Sequence, residues 1–357
     1  LGISVTSEIA FSQVYNAPPV QRKFFQGDED GTFNPSSTNG LGFAVDDKNN
    51  NIPVQQWDLV SQSWKTGTLE AIGDKNPVTA FLETGVMATN NVSITGNYDK
   101  GSYRFNYGNV TSKLVIPYNQ YKRNDVSFNA NYKVNDKISI SSVASYSHTF
   151  VPQQSHVEGN NGDNPISLAL QTPVNLPKMS VWKDADRFIT GYKGVYQNSP
   201  YLNNAGQNRL SKINKTTGKD DALGADNPYH TAQYNIRTYG KDVFFGKAQL
   251  DWSIINPLRF SIRSGVNYES FGFEHKIPWD SRATGNRIGG YEVTETSSLA
   301  IRSDAMLAFN KNFFNDKLSV DALGGVNYNF FDEIAGVGNY TNYSTFSGTD
   351  GLTTPNS

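Results

Sequence analysis

Residues Asn90 to Val110 read NNVSITGNYDKGSYRFNYGNV. Val92, Ile94 and Tyr98 fall on alternate positions with Gly96 in step, and Asn91, Ser93, Thr95 and Asn97 fill the places between. After Asp99-Lys100-Gly101 the alternation resumes, Tyr103, Phe105 and Tyr107 against Ser102, Arg104 and Asn106. A period of two on both sides of a short polar turn predicts a β-hairpin with one apolar and one polar face. What the apolar face touches decides the fold.

The same alternation marks further segments. Ile3, Val5, Ile9 and Phe11 keep step in Gly2 to Val14, and Val126, Phe128, Ala130, Tyr132 and Val134 do so in Asp125 to Val134. Lys137 to Phe150, Val243 to Ile255, Leu258 to Phe273, Tyr291 to Phe309 and Leu318 to Phe330 follow, giving about nine strands, several longer than the ~5–6 residues usual in soluble sheets. No long helix is expected.

Short and long connections alternate. Short turns are expected at Asn97 to Gly101, Asn135-Asp136, Ile255 to Pro257 and Asn310 to Lys317. Longer ones are expected at Tyr15 to Thr89, Val110 to Asn124, Val151 to Asp242, Glu274 to Gly290 and beyond Phe331. Because direction reverses at each connection, all short turns lie on one side, the layout of an outer-membrane barrel with periplasmic turns and extracellular loops. A soluble sandwich has no reason to sort loops by parity. Tyr98, Tyr103, Tyr132, Trp252 and Phe309 sit near short turns, where an interfacial girdle belongs.

Composition permits this. No apolar run reaches the ~18 residues of a spanning helix, and the mean hydropathy of -0.52 is compatible with a wall that shows lipid only every second residue. Lys plus Arg number 31 against 33 Asp plus Glu, so no basic field invites nucleic acid. The chain has no cysteine, which excludes disulfides, thiolate metal sites and cysteine nucleophiles.

Motifs for covalent chemistry are missing: there is no GxSxG, P-loop, GxGxxG or HExxH, and the reading is of a non-enzyme without cofactor. His148, His156, His230 and His275 are scattered, and no metal site is expected from them. Gly27-Asp28-Glu29-Asp30-Gly31 lacks the spacing of a calcium loop, and it and Asp163 read as solvated loop charge. The Asn-x-Ser/Thr sites at Asn91, Asn109, Asn214, Asn339 and Asn342 are attributed to an Asn- and Ser-rich composition. The two longest connections, 15–89 and 151–242, are expected to fold over the barrel mouth as extracellular loops. They carry the candidate substrate contacts, Trp57, Trp64 and Trp182, whose rings could stack on sugars or peptide side chains or instead pin the loops together.

Asn76 to Phe150 resembles the early barrel of SusC/RagA-type TonB-dependent outer-membrane transporters. The family's aromatic-acidic-Thr-Gly element corresponds to Phe81 to Gly85, its NNVSxSG strand to Asn90 to Gly96, its lysine turn to Lys100 and its SFR-like strand to Ser102 to Phe105. IPxxxxxRN corresponds to Ile116 to Asn124, and the DK turn to Asp136-Lys137. The segment YNAPPVQRKFFQGDEDGTFN is similar to the region after the plug, and beyond Val151 the likeness is one of texture.

The resemblance implies a piece of a barrel of about 22 strands, without its plug or TonB box, in a bacterial outer membrane. It implies active import of an oligosaccharide or peptide captured beneath a SusD-like surface lipoprotein, with the TonB-ExbB-ExbD complex acting through the missing plug region and outer-membrane lipid around the wall. A passive porin or adhesin-like surface barrel is the alternative, and a soluble carbohydrate-binding sandwich a third reading.

Overall fold

The computed structural model describes residues 1–25, 27, 29–31, 40–46, 53–58, 63–68, 71, 73–158, 163–172, 174, 178–180, 183, 209–213, 220–277, 290–315 and 317–340. Nine long strands form one antiparallel sheet: β1 (Gly2–Ser12), β4 (Gly85–Tyr98), β5 (Gly101–Lys113), β6 (Gln120–Asn135), β7 (Ile138–Gln153), β10 (Ile236–Ile255), β11 (Leu258–Ile277), β12 (Gly290–Phe313) and β13 (Leu318–Tyr340), in that spatial order. Two small hairpins lie in the long connections, β2 (Pro53–Asp58) with β3 (Ser63–Thr68) and β8 (Arg209–Ile213) with β9 (Asp220–Asp226). The fold is all-β, a partial barrel wall, and among the described residues no helix is long and apolar enough to cross a membrane.

The register turns local alternation into continuous rows. Ile3, Ile94, Phe105, Phe128, Ala144, Gly246, Val266, Ile301 and Phe330 stand side by side across all nine strands. Toward the short turns follow Tyr132, Ile140, Leu250, Ile262, Ala305 and Val326 in another row. Cross-strand neighbours of this kind are what hold a sheet together, and a slip by one residue would turn every row to the other face.

Where the turns lie measures how the strands lean. Tyr98, at the first turn, is level through Gly101, Tyr132, Ile140, Leu250 and Ile262 with Ala305. Yet β12 runs from Ala305 to Phe313, eight residues further, before it turns. Eight residues of about 3.4 Å, set against six strand spacings of about 4.8 Å, correspond to strands inclined by about 40°, the range of barrel walls.

The expected nine strands and four short turns are present, but strands run further toward the loop side than expected: β10 begins at Ile236 instead of Val243, β11 ends at Ile277 instead of Phe273, and β13 ends at Tyr340 instead of Phe330. β4 begins at Gly85, before the alternation becomes regular. The connection expected over Val110 to Asn124 is only residues 114–119, because both flanking strands continue into it. There Pro117 and Tyr118 make a tight turn closed by Asn119 N–H donating to the Ile116 carbonyl at 3.2 Å. Tyr118 takes φ 67°, a position where such turns usually place glycine; its ring is held by packing against the loop-end core. Finally, the loops contain short helices: α1 (Pro77–Phe81), α2 (Pro165–Leu170) and α3 (Pro228–Tyr234).

Candidate functional site

The two faces of the sheet differ in what covers them. On the apolar face, Tyr98, Tyr132, Phe128, Trp252 and Ile262 are each 41–49% exposed. On the polar face, the loop end is covered: His275 of β11 projects there beside Arg237 of β10, is only 8% exposed, and feels the charges of Asp163 and His156 from the segment after β7. The helical segments therefore fold over the polar side, which makes it the inside of the wall and leaves the apolar side bare.

Two bands of aromatics border the bare side. Tyr98, Tyr132, Trp252 and Phe309 lie at the short turns, as expected, with the Tyr98 and Tyr132 rings 6.4 Å apart. A second band was not foreseen: Tyr107, Tyr146, Phe244 and Tyr268 share one row with Val126. Its hydroxyls reach the next row, Tyr107 donating to Asn124 at 3.0 Å and Tyr146 to Asp242 at 2.5 Å. That next row, Ser7, Asn90, Asn109, Asn124, His148 and Asp242, is polar and internally bonded. An apolar belt between two aromatic bands, ending in a bonded polar row, is the surface expected of a lipid-facing wall.

The inner face is lined by short polar chains and paired charges. Arg123 donates to Asp125 at 2.9 Å, Arg263 to Asp304 at 2.6 Å, and Arg302 to Asn329 at 2.9 Å. Lys241 pairs with Glu269 at 2.7 Å. Between β1 and β6 this face holds a recess of about 370 Å³ lined by Ser4, Thr6, Asn91, Ser93, Arg104, Asn106, Asp125 and Ser127. Gly108 opens it, since a Cβ there would lie 3.0 Å from the Asn91 side chain.

The loop-end core is built by one device used three times. Asn76-Pro77, Asn164-Pro165 and Asn227-Pro228 each start a helix, with Asn as N-cap and Pro at the first turn. Asn76 Oδ1 accepts from Val78 N–H at 3.0 Å, Asn164 Oδ1 from Ile166 N–H at 3.0 Å, and Asn227 Oδ1 from Tyr229 N–H at 2.9 Å. Helices of five to seven residues are too short to persist alone. They persist here by burying Val78, Phe81, Leu168, Ala169, Met179, Tyr229 and Ala232 in one cluster, where the Phe81 ring meets Tyr229 edge-on at 4.9 Å.

This explains the Phe81 to Gly85 element. Phe81 anchors the core, and Glu83 joins Lys113 of β5, at 2.5 Å, to Lys183. Gly85 admits β1 and the 114–119 turn, since a Cβ there would come within 3.2 Å of the Lys113 carbonyl. Burial works to raise the Glu83 pKa, but hydrogen bonds from the two lysines outweigh it and hold the carboxylate below its ordinary range. A depressed carboxylate stabilises the fold above its unfolded pKa and loses that contribution as pH falls through the folded value. Amide exchange over residues 77–86 is therefore expected to quicken below the ordinary carboxylate range, and Glu83→Gln to quicken it at neutral pH while abolishing the acid response. Exchange in the variant that still responds to acid would assign the effect to another group.

Of the candidate substrate contacts, Trp57 and Trp64 are register partners in the β2–β3 hairpin. Trp182 lies outside the described residues, as do Asp28 of the acidic loop, Asn214 and Asn342. His156 and Asp163, seven residues apart in sequence, are joined at 3.0 Å. Among the described residues no three ligand-type side chains converge as a metal would need.

No protein-family model matches the chain, and no curated protein does. Solved structures do. The chain matches the RagAB peptide importer in its "open-open" state with a TM-score of 0.58 and 11% identity, over 99% of this chain and 38% of that one. In the "closed-closed" state the TM-score is 0.57 at 11% identity, over 98% and 37%. A further structure of the RagAB peptide transporter gives 0.50 at 11% identity, over 76% and 27%. The chain thus spans less than two-fifths of the length of the chains it matches. It has the fold of part of the RagAB importer, the same SusC/RagA type that its motifs from Asn76 to Phe150 resemble.

Proposed function

We propose that this chain is part of the barrel wall of a TonB-dependent importer in the outer membrane of a Gram-negative bacterium. The observation that carries the reading is the two-sided sheet, with a bare apolar exterior between aromatic bands and a paired-charge interior covered at one end. Residues 15–89 and 151–242, less the strand ends that β4, β7 and β10 take from them, are the extracellular loops in this reading, further strands complete a wall of about 22, and a SusD-like lipoprotein closes over the loop end. The TonB-ExbB-ExbD complex acts through a plug inside the barrel. The likeness to a peptide importer favours peptide over oligosaccharide as cargo.

The test is uptake of a labelled peptide mixture by cells expressing the protein at its native length, with and without a proton uncoupler. Accumulation that stops with the uncoupler, and in cells without TonB, is the expected result. Uptake indifferent to both would mean a passive porin, and none at all an adhesin-like barrel.

Trp57 and Trp64, partners in the hairpin register, are the proposed cargo contacts of the first loop, with Trp182 in the second. Replacing Trp57 and Trp64 together by Ala is expected to weaken peptide retention by about tenfold, the scale of buried aromatic anchors. Unchanged retention would leave them as loop pins.

A further inference from the structure

Above the upper aromatic band, the bare side changes character at β4, β5 and β6. Val86, Ala88, Thr111, Lys113 and Lys122 line a shallow cleft of about 290 Å³ there. In the ladder Lys122 pairs with Thr111 and Lys113 with Gln120, so the two lysines are diagonal neighbours on one face, close enough to share a ligand. Their situations differ. Lys113 is tied to Glu83, whereas Lys122 is exposed and has no ion pair among the described residues. Beside it stands Phe150, its direct ladder partner, 37% exposed.

We propose that this cleft binds a phosphate-bearing lipid of the outer leaflet. The phosphate sits between Lys113 and Lys122, and an acyl chain descends past Val86, Ala88 and Phe150 toward the apolar belt. Two observations and one general property of lysine converge on that occupant. Lys122 lies one row beyond Asn109 and Asn124, the polar row that ends the belt, and Lys113 one row further, which is the level of lipid head groups. Flexible lysine stems lie along apolar surface while the ammonium stays at the polar boundary. The floor is aliphatic, so a free phosphate would leave it uncovered, and an amphiphile uses both halves of the cleft. The inference rests on the reading of the bare side as a lipid-facing wall.

The protein carrying this chain, at its native length in detergent, is probed with bis-phosphorylated lipid A and with its dephosphorylated form, and bound lipid is counted by native mass spectrometry. The phosphorylated lipid is expected to be retained preferentially. Lys122→Gln should weaken it about fivefold, the scale of one basic residue at a lipid surface, and Lys113→Gln with Lys122→Gln further still. Lys100→Gln, at the opposite end of the sheet, should change nothing. Equal binding of the dephosphorylated lipid, no loss in Lys122→Gln, or displacement by millimolar inorganic phosphate would overturn the proposal. A parallel vesicle-partition assay separates the two readings. Protein that stays out of bilayers refutes the wall itself, while protein that inserts and binds lipid A equally well without the lysines refutes only the cleft.

Discussion

Ala144→Arg is expected to destabilise the inserted protein by about 2–4 kcal/mol, while Ser145→Arg, one residue on, changes it by about 0.5 kcal/mol or less. The two positions are adjacent in β7 and similar in size, and only the face differs. Ala144 stands in the row of Ile94, Phe105 and Phe128, and Ser145 stands between Ser127 and Phe245 on the polar side. An arginine at Ala144 must carry its charge into hydrocarbon, whereas at Ser145 it enters a lining that already holds arginines paired with carboxylates. Urea titration of the native-length protein in phospholipid vesicles measures the difference. Equal effects at both positions would refute the assignment of inside and outside, and stability without any bilayer or detergent would favour the soluble sandwich.

The second large effect is expected at the loop end. Phe81 is fully buried, and its removal in Phe81→Ala takes away the ring that Tyr229 packs against. Truncating a buried phenylalanine costs about 3–5 kcal/mol. Because the loop-end core consists of three short helices held by this one cluster, that loss should open all of them together. Amide exchange is expected to collapse in residues 77–81, 165–170 and 228–234 while the ladder from β4 to β7 keeps its protection. Loss confined to 77–81 would show that the helices do not form a cooperative unit.

The nine strands were legible because a period of two is a local signal, and Val126 to Val134 or Leu258 to Tyr268 display it without outside help. Where the signal is interrupted, the boundary was lost. Val86, Met87 and Ala88 are apolar in succession and conceal the start of β4, and Leu114 to Pro117 read as loop although β5 and β6 reach almost to them. Helices of one or two turns carry too few residues to show a period of 3.6. Nor does the Asn-Pro pair that starts each of them suffice as a signal, since Asn256-Pro257 makes the turn between β10 and β11.

The upper aromatic band could not be read at all. Tyr107, Tyr146 and Tyr268 share no turn and no spacing, and only the register across five strands sets them level. The pairing of His156 with Asp163, and the third member of that neighbourhood, His275, also depend on how the loop segment folds back over the sheet. The tryptophans occupy a middle position. Trp57 and Trp64 are brought together by a hairpin too small to stand out in a long polar loop.

The progressive offset of the short turns has an engineering meaning. Inclination is carried by each hairpin in turn, β4–β5, then β6–β7, then β10–β11, and no single residue sets it. A strand inclined by about 40° occupies about 6 Å of circumference. Duplicating one hairpin with its offset, in a closed wall, would thus leave every other strand at its slope and widen the bore by about 4 Å. Pore diameter in such a protein can be changed in steps of one hairpin, with the lipid-facing belt kept at constant height.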